Sequence, residues 1–237
     1  METSKSIKLR ALRAAFPHTI PILAGFLFLG FTYGVYMRVS GFAFWYPMLT
    51  SITVFGGSLE FIIVNLLLGA FNPLQAFAMT LMVQARHLFY GISMLDKYRN
   101  LGRKKLYMIF GMCDESFSIN CSVNVPHDID RGWFYFFVTL LNQLYWITGA
   151  TLGGVCGSLI SFSTEGLDFA MTAMFVVILL EQLLKKQQHI SELIGVGVST
   201  LCLILFGADD FMLPAMAAIL GMLTLLRRPI EKGGAEQ

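Results

Sequence analysis

Five ionisable residues lie inside long apolar stretches of this chain of 237 residues: Glu60, Arg86, His87, Asp114 and Glu115. An ionisable side chain in water-poor surroundings is costly to keep there, so such positions are candidates for function. Because acids and bases are both present, the chain could offer one site that carries charges of both signs.

This combination suits a ligand that is itself a zwitterion, such as an amino acid. Asp114, Glu115 and Glu60 are predicted to receive an ammonium group or to carry a proton. Arg86 is predicted to receive a carboxylate, together with the free backbone N–H groups of a helix that begins at Ser58.

A helix interruption is predicted at Gly56-Gly57-Ser58, between the short apolar segments 42–55 and 58–70. Glycine offers no side chain to pack, and the serine hydroxyl can cap a new helix. Each short segment covers only roughly 20 Å at the helical rise, whereas a bilayer core is about 30 Å thick. The pair is therefore predicted to be re-entrant, entering and leaving the membrane by its outer face.

Transmembrane helices are the elements that must hold these residues. Hydrophobic residues make up 56% of the chain and charged residues 14%, whereas soluble domains carry about 25% charged residues. The long apolar runs lack the alternation of a barrel strand. The predicted fold class is all-α, a polytopic membrane protein with about seven spans plus broken or re-entrant short helices. The other apolar segments are 17–37, 73–94, 106–122, 133–157, 167–184, 192–207 and 210–226.

Basic clusters between these segments predict which loops are cytoplasmic. The clusters fall at 5–13, 97–105, 185–186 and 227–232. Residues 1–16 are predicted to be a basic cytoplasmic segment, 17–226 the transmembrane domain and 227–237 a polar cytoplasmic tail. The run that starts at Pro17 is too long for a signal sequence and is predicted to be retained as the first helix.

In the second half, segment 106–122 is predicted to cross outward, the glycine-rich segment 133–157 to dip into the membrane, and 167–184 to return. This order would mirror the first half and suggests an internal repeat, although no residue-by-residue match supports it.

Glycines recur every fourth residue at two places, Gly30 with Gly34 and Gly149 with Gly153 and Gly157. Such stripes let helices approach closely. They predict either packing within the chain or a docking face for another subunit.

The candidate residues also have alternative interpretations. Arg86 could neutralise Asp114 or Glu60 in a buried pair that fixes helix register. His87 could be neutral and bonded to a backbone carbonyl. Ser58 as nucleophile with His87 as base would instead indicate an intramembrane hydrolase. An uncoupled channel or a non-transporting scaffold is a further alternative.

Several function classes are not supported by the sequence. The net charge of +2 is too small to indicate a nucleic-acid partner. The four cysteines have no metal-binding spacing, and no nucleotide-binding motif is present. We therefore expect no metal, no cofactor and no nucleic acid.

Four blocks of residues resemble one known family, the azaleucine-resistance (AzlC-type) branched-chain amino-acid permeases, which are the large subunits of two-component exporters. The blocks are Pro17 with Pro21, Phe55-Gly56-Gly57-Ser58-Leu59-Glu60-Phe61, Arg86-His87, and Asp114-Glu115-Ser116-Phe117. The chain departs from that family in having Glu60 where glutamine is usual and Gln84 where asparagine is usual.

The resemblance implies a permease of the bacterial inner membrane that exports branched-chain amino acids, is coupled to protons and works with a small hydrophobic membrane subunit. Within this chain, the predicted substrate-binding residues are Gly56, Gly57, Ser58, Glu60, Gln84, Arg86 and His87. The predicted proton-coupling residues are Asp114, Glu115 and Glu60.

Overall fold

The computed structural model describes residues 4–70, 72–126, 128–159 and 190–225, together with residues 176, 180 and 183. All regular structure in these ranges is helical, which confirms the predicted all-α class. The helices are α1 (Ser4–Val39), α2 (Trp45–Thr53), α3 (Ser58–Leu68), α4 (Pro73–Gln84), α5 (Arg86–Met94), α6 (Lys104–Phe110), α7 (Asp114–Ser122), α8 (Arg131–Cys156), α9 (Ile190–Asp210) and α10 (Met212–Leu225). The chain forms two compact units, residues 1–170 and 171–237.

Helices α1 and α8 are the long scaffold of the first unit, and they run parallel. Lys8 lies over the ring of Trp133 near the start of both helices, and the rings of Phe26 and Trp146 meet further along. We call the end of this unit at which α1 and α8 begin the basic end, because it carries the predicted basic cluster 97–105 as well as Lys8.

The glycine stripes form the contact between these two helices. A Cβ on Gly153 would overlap the backbone carbonyl oxygen of Phe31, and a Cβ on Gly149 would lie 2.7 Å from that of Leu27. Gly34 faces the backbone of α8 in the same way. The stripes therefore serve packing within the chain, which was the first of the two predicted alternatives.

The first of two helical hairpins is formed by α2 and α3. Helix α2 descends along α8 from Gly154, which faces Phe44, towards Gln143, whose amide points at the carbonyl of Ile52. Helix α3 returns along α1, where its Phe61 packs against the ring of Tyr33. Both outer ends lie away from the basic end, so the predicted short segments 42–55 and 58–70 form a hairpin that enters from the opposite end of this unit. We call this pair hairpin 1.

The second hairpin is formed by α6 and α7, and it enters from the basic end. Lys104 lies over Trp133 and pairs with Asp130, whereas Gly111 at the turn faces Thr139. At the far end of α7, the Lys97 ammonium donates to the carbonyl of Asn120 at 3.0 Å. We call this pair hairpin 2.

Hairpin 2 corrects two predictions. The expectation that 106–122 crosses as one helix is wrong, because residues 111–113 interrupt the helix and the extended backbone at Cys113 turns the chain back. The expectation that 133–157 dips is also wrong, because α8 is continuous from Arg131 to Cys156. Its glycines face α1 instead of breaking the helix.

The architecture is an inverted repeat with boundaries different from those predicted. In each half a hairpin is followed by a helix that runs to the opposite end, α4–α5 after hairpin 1 and α8 after hairpin 2. A short sequence match accompanies it: Phe-Gly-x-Ser-x-Glu at 55–60 and Phe-Gly-x-Cys-x-Glu at 110–115.

Among the described helices, only α1 is both long enough and apolar enough by itself to cross a bilayer. The four hairpin helices are individually short, and α8 carries Thr139, Asn142 and Gln143 in its middle. In the second unit, α9 and α10 correspond to the predicted segments 192–207 and 210–226, and a left-handed Gly207 kinks α9. The predicted segment at 167–184, apart from residues 176, 180 and 183, and the tail at 227–237 lie outside the described residues.

The glycine contact between α1 and α8 can be tested by adding one methyl group. Gly153→Ala is expected to destabilise the protein by about 1–3 kcal/mol, because the neighbouring atoms are backbone and cannot move aside. The thermal unfolding midpoint of the purified protein measures this effect. Gly25→Ala on α1 is the matched control, since a Cβ there meets nothing within 4 Å. Equal midpoints for the two variants would contradict the assigned contact.

Candidate functional site

The tips of the two hairpins meet at Arg86. Ser58 is the first residue of α3 and Asp114 the first residue of α7, so each tip presents the start of a helix. Arg86 opens α5 and lies between them. Its Nη1 donates to Asp114 Oδ2 at 2.6 Å, and its Nη2 lies 3.5 Å from Ser58 Oγ. One guanidinium therefore joins the two halves of the inverted repeat.

Local backbone chemistry explains the tip of hairpin 1. Gly57 has φ +53°, in the left-handed region where residues other than glycine are strained. Gly56 lets Gln84 approach closely, and the Gln84 side chain donates from Nε2 to the Gly56 carbonyl at 2.9 Å. Gly56, Gly57 and Gln84 thus build the tip and lie beside the Arg86 contact.

Glu60 lies on the far side of the same tip and is fully buried. Its carboxylate accepts hydrogen bonds from Ser51 Oγ at 3.0 Å, from the Gly56 backbone N–H at 3.2 Å and from Trp146 Nε1 at 3.0 Å. It forms no ion pair with Arg86. The alternative in which Arg86 pairs with Glu60 is therefore excluded in this structure, whereas pairing with Asp114 is present.

The Arg86–Asp114 ion pair is partly exposed, and some of its polar atoms have no hydrogen-bond partner among the described residues. The two side chains remain 32% and 30% exposed. Three buried polar atoms around the pair have no hydrogen-bond partner among the described residues: Gln84 Oε1, Arg86 Nε and Asp114 Oδ1. Leaving such atoms unpaired costs about 1–3 kcal/mol each, so their clustering is typical of a place that receives a polar ligand or water.

His87 and Glu115 lie at the edge of this cluster. His87 Nδ1 is 3.3 Å from the Gln84 carbonyl, and its ring meets Tyr90 edge-on. Glu115 follows Asp114 in the first turn of α7 and is partly buried. Ser58 faces Arg86, and no hydrogen bond joins it to His87. The arrangement lacks the nucleophile and base contact that a serine hydrolase needs.

Sequence reasoning missed several neutral residues of this region. Asn142 of α8 is fully buried and donates from Nδ2 to Ser116 Oγ at 3.0 Å, whereas its Oδ1 has no partner among the described residues. Trp146, one turn further along α8, holds Glu60. A signal was present in the sequence of α8. Relative to Thr139, the residues Asn142, Gln143 and Trp146 lie at i+3, i+4 and i+7, which places all four on one face of an otherwise apolar helix.

A contact between the tip glycine and the following helix occurs in each half, with equal spacing along the chain. Gln84 touches Gly56 from a position 28 residues further along the chain, and Thr139 faces Gly111 at the same separation. The repeat therefore includes the helix that supports each tip as well as the tip itself.

Comparison with known proteins identifies the family. The family model described as "AzlC protein" matches residues 21–160. A protein of Bacillus subtilis (strain 168) named "Branched-chain amino acid transport protein AzlC" is 63% identical over 94% of this chain and 87% of its own length. Proteins named "Uncharacterized membrane protein" from Haemophilus influenzae and Helicobacter pylori (strain J99) are 43% and 32% identical over 91% and 94% of this chain, and over 88% and 98% of their own lengths. No solved structure matches the chain. The resemblance predicted from the four sequence blocks is therefore confirmed: the chain belongs to the AzlC protein family.

Proposed function

We propose that this chain is the large subunit of a membrane carrier for branched-chain or related small amino acids, with its substrate site where the two hairpin tips meet at Arg86. The observation that carries the proposal is the Arg86–Asp114 pair, which is partly exposed. Arg86 Nε, Asp114 Oδ1 and the neighbouring Gln84 Oε1 are buried and have no hydrogen-bond partner among the described residues. The name of the Bacillus subtilis relative, a branched-chain amino acid transport protein, supports the substrate class.

The charges at this site match an amino-acid zwitterion. A substrate carboxylate would take the guanidinium of Arg86, whose Nε has no hydrogen-bond partner among the described residues. The backbone N–H groups of Gly56, Leu59 and Glu60 at the tip already donate within the protein, so the predicted role of free N–H groups at this helix start is not part of the proposal. A substrate ammonium would take Asp114 Oδ1, with Glu115 next to it in the chain. The ligand would then replace one internal ion pair by two charge-assisted contacts, so neither protein charge is left uncompensated.

An apolar substrate side chain needs a water-poor surface beside these charges. Tyr90 stacks on Phe117 with ring centroids 4.4 Å apart, one turn beyond Arg86 on α5 and near the start of α7. This aromatic pair offers such a surface, and its place next to the ion pair suits a leucine-like side chain better than a charged one.

The two hairpins suggest how access alternates. Hairpin 1 enters from one end and hairpin 2 from the other, while both tips contact the same arginine. Withdrawal of either tip would open the site to one end only. The inverted repeat makes the two movements structurally equivalent, as in other carriers built from inverted repeats.

The remaining parts of the proposal concern direction, coupling and partners. We infer a multi-pass protein of the bacterial inner membrane with the basic end in the cytoplasm, since basic loops are retained on that side. The carrier exports its substrate, is driven by protons and works with a small hydrophobic membrane subunit. Asp114 and Glu115 carry the coupling role, because both belong to the hairpin tip that faces the site.

Glu60 has a different role in this account. Its two oxygens accept three hydrogen bonds from protein donors, so they are not directed at a substrate. We propose that Glu60 positions hairpin 1, because its hydrogen bonds connect α2, the hairpin tip and α8. In this proposal Asp114 and Glu115, in place of Glu60, receive the substrate ammonium and carry the coupling proton.

Replacing the central carboxylate should abolish transport. Asp114→Asn removes the negative charge that receives the substrate ammonium and leaves Arg86 without its ion pair, so counterflow of labelled leucine in proteoliposomes should fall to the level of protein-free vesicles. Asp128→Asn, in an exposed loop, is the control and should transport normally. Wild-type saturable counterflow in Asp114→Asn would remove this residue from the mechanism, and non-saturable flux in the unaltered protein would indicate a channel.

Two substitutions of Glu60 separate positioning from proton transfer. In Glu60→Gln the amide oxygen can still accept from Gly56 and Trp146 while the amide nitrogen donates to Ser51, so transport and its pH profile should be retained. Glu60→Leu leaves three buried donors without an acceptor, and each unpaired donor costs about 1–3 kcal/mol, so the unfolding midpoint should fall clearly. If the pH profile of transport is shifted in Glu60→Gln while the unfolding midpoint is unchanged, Glu60 and not Asp114 or Glu115 carries the coupling proton.

A further inference from the structure

A cavity lies at the basic end, away from the hairpin tips. It has a volume of about 640 Å³ and lies between the loop after α5, the loop after α7 and the first turns of α8. The cations that line it are Lys97, Arg99 and Arg131, with Asp96 as the acidic residue in the lining. The balance of charge in the cavity is therefore positive.

The guanidinium groups of Arg99 and Arg131 are not neutralised by an acidic side chain among the described residues. Lys97 is engaged with the carbonyls at the end of α7. Neither the Arg99 nor the Arg131 guanidinium forms a hydrogen bond or an ion pair with any residue that the structure describes, and both residues are exposed. Arg131 is moreover the first residue of α8, where the helix dipole disfavours a cation and favours an anion.

The rest of the lining is apolar or neutral. Leu101, Val123 and Val125 lie beside the charges, and Tyr135 and Asn124 complete the wall. A fully hydrated inorganic anion gains nothing from an apolar wall. A molecule with a phosphate at one end and hydrocarbon at the other matches both parts of the lining.

We propose that this cavity binds a phosphate-bearing anion, and specifically the headgroup of an anionic phospholipid. The two guanidinium groups hold the phosphate, since arginine recognises phosphate oxygens through paired donors. The glycerol and the first acyl carbons lie against Leu101, Val123 and Val125. The inference depends on a membrane setting for the basic end and is independent of the transport proposal.

Binding at this place has a structural consequence for hairpin 2. Lys97 belongs both to the cavity lining and to the contact that holds the end of α7, where its ammonium reaches the carbonyl of Cys121 at 2.5 Å. A lipid phosphate next to Lys97 fixes that side chain more firmly. Lipid occupancy therefore stabilises hairpin 2 at its outer end, away from the substrate site.

The test measures lipid binding to the purified full chain in neutral detergent. Dioleoylphosphatidylglycerol is compared with dioleoylphosphatidylcholine, and inorganic phosphate is added in a separate arm. The readouts are the number of bound lipids by native mass spectrometry and the thermal unfolding midpoint. The variant combines Arg99→Gln with Arg131→Gln. The control combines Arg13→Gln with Arg103→Gln, which removes two exposed arginines from the same end outside the cavity lining.

We expect phosphatidylglycerol to bind and to raise the midpoint of the unaltered protein and of the control, and the cavity variant to bind it about tenfold or more weakly. Equal binding by the cavity variant and the control would overturn the site. The site would also be overturned if the unaltered protein neither bound phosphatidylglycerol nor showed a raised unfolding midpoint in its presence. Inorganic phosphate that reproduces the stabilisation would identify a soluble anion as the ligand and overturn the assignment to lipid.

Discussion

The contact of Arg86 with Asp114 and Ser58 is the interaction on which the rest of the first unit depends. Arg86 lies where two hairpins from opposite ends of the first unit meet, and its guanidinium approaches the first residue of a helix in each. The pair is buried enough that its charges attract strongly but exposed enough to admit a ligand. Because Arg86 is paired with only one carboxylate, the contact between the hairpin tips can be broken by a ligand. A ligand with its own carboxylate and ammonium can replace each partner of the ion pair.

The surrounding architecture separates a rigid part from parts that can move. Helices α1 and α8 are joined through glycines at backbone contact, which leaves little freedom between them. The hairpins pack on this scaffold through apolar side chains, and single polar contacts near their tips add to this packing. Hairpin 1 is tied to α8 through Glu60 and Trp146, and hairpin 2 through Ser116 and Asn142. Each of these two contacts is a single hydrogen bond, which can break and reform without disturbing the contact between α1 and α8.

The sequence predicted the charged residues of this site but not the neutral residues that surround them. Arg86, Asp114 and the break at Gly56-Gly57-Ser58 were found because charges and paired glycines stand out in an apolar chain. Asn142 and Trp146 were not, since neutral polar residues in a long helix resemble ordinary packing residues.

The glycine-rich segment of α8 shows why interruptions of helices were harder to predict from the sequence than the charged residues of the site. Glycine can end a helix or let two helices touch, and only the partner helix decides between these outcomes. In α8 the glycines meet α1 and the helix continues, whereas Gly111 precedes a true break. Comparison of the Phe-Gly-x-Ser-x-Glu and Phe-Gly-x-Cys-x-Glu segments would have located that second break, because the first is marked by Gly57.

Competition for leucine binding tests the central claim most directly. If the site is built to replace the Arg86–Asp114 pair by a zwitterion, labelled leucine bound to the purified protein should be displaced by unlabelled leucine. The amine that lacks the carboxylate, 3-methylbutylamine, and the acid that lacks the ammonium, 4-methylpentanoate, should each be weaker competitors by about a hundredfold or more, since each leaves one protein charge unpaired. Displacement by either analogue at the same concentration as leucine would contradict the account.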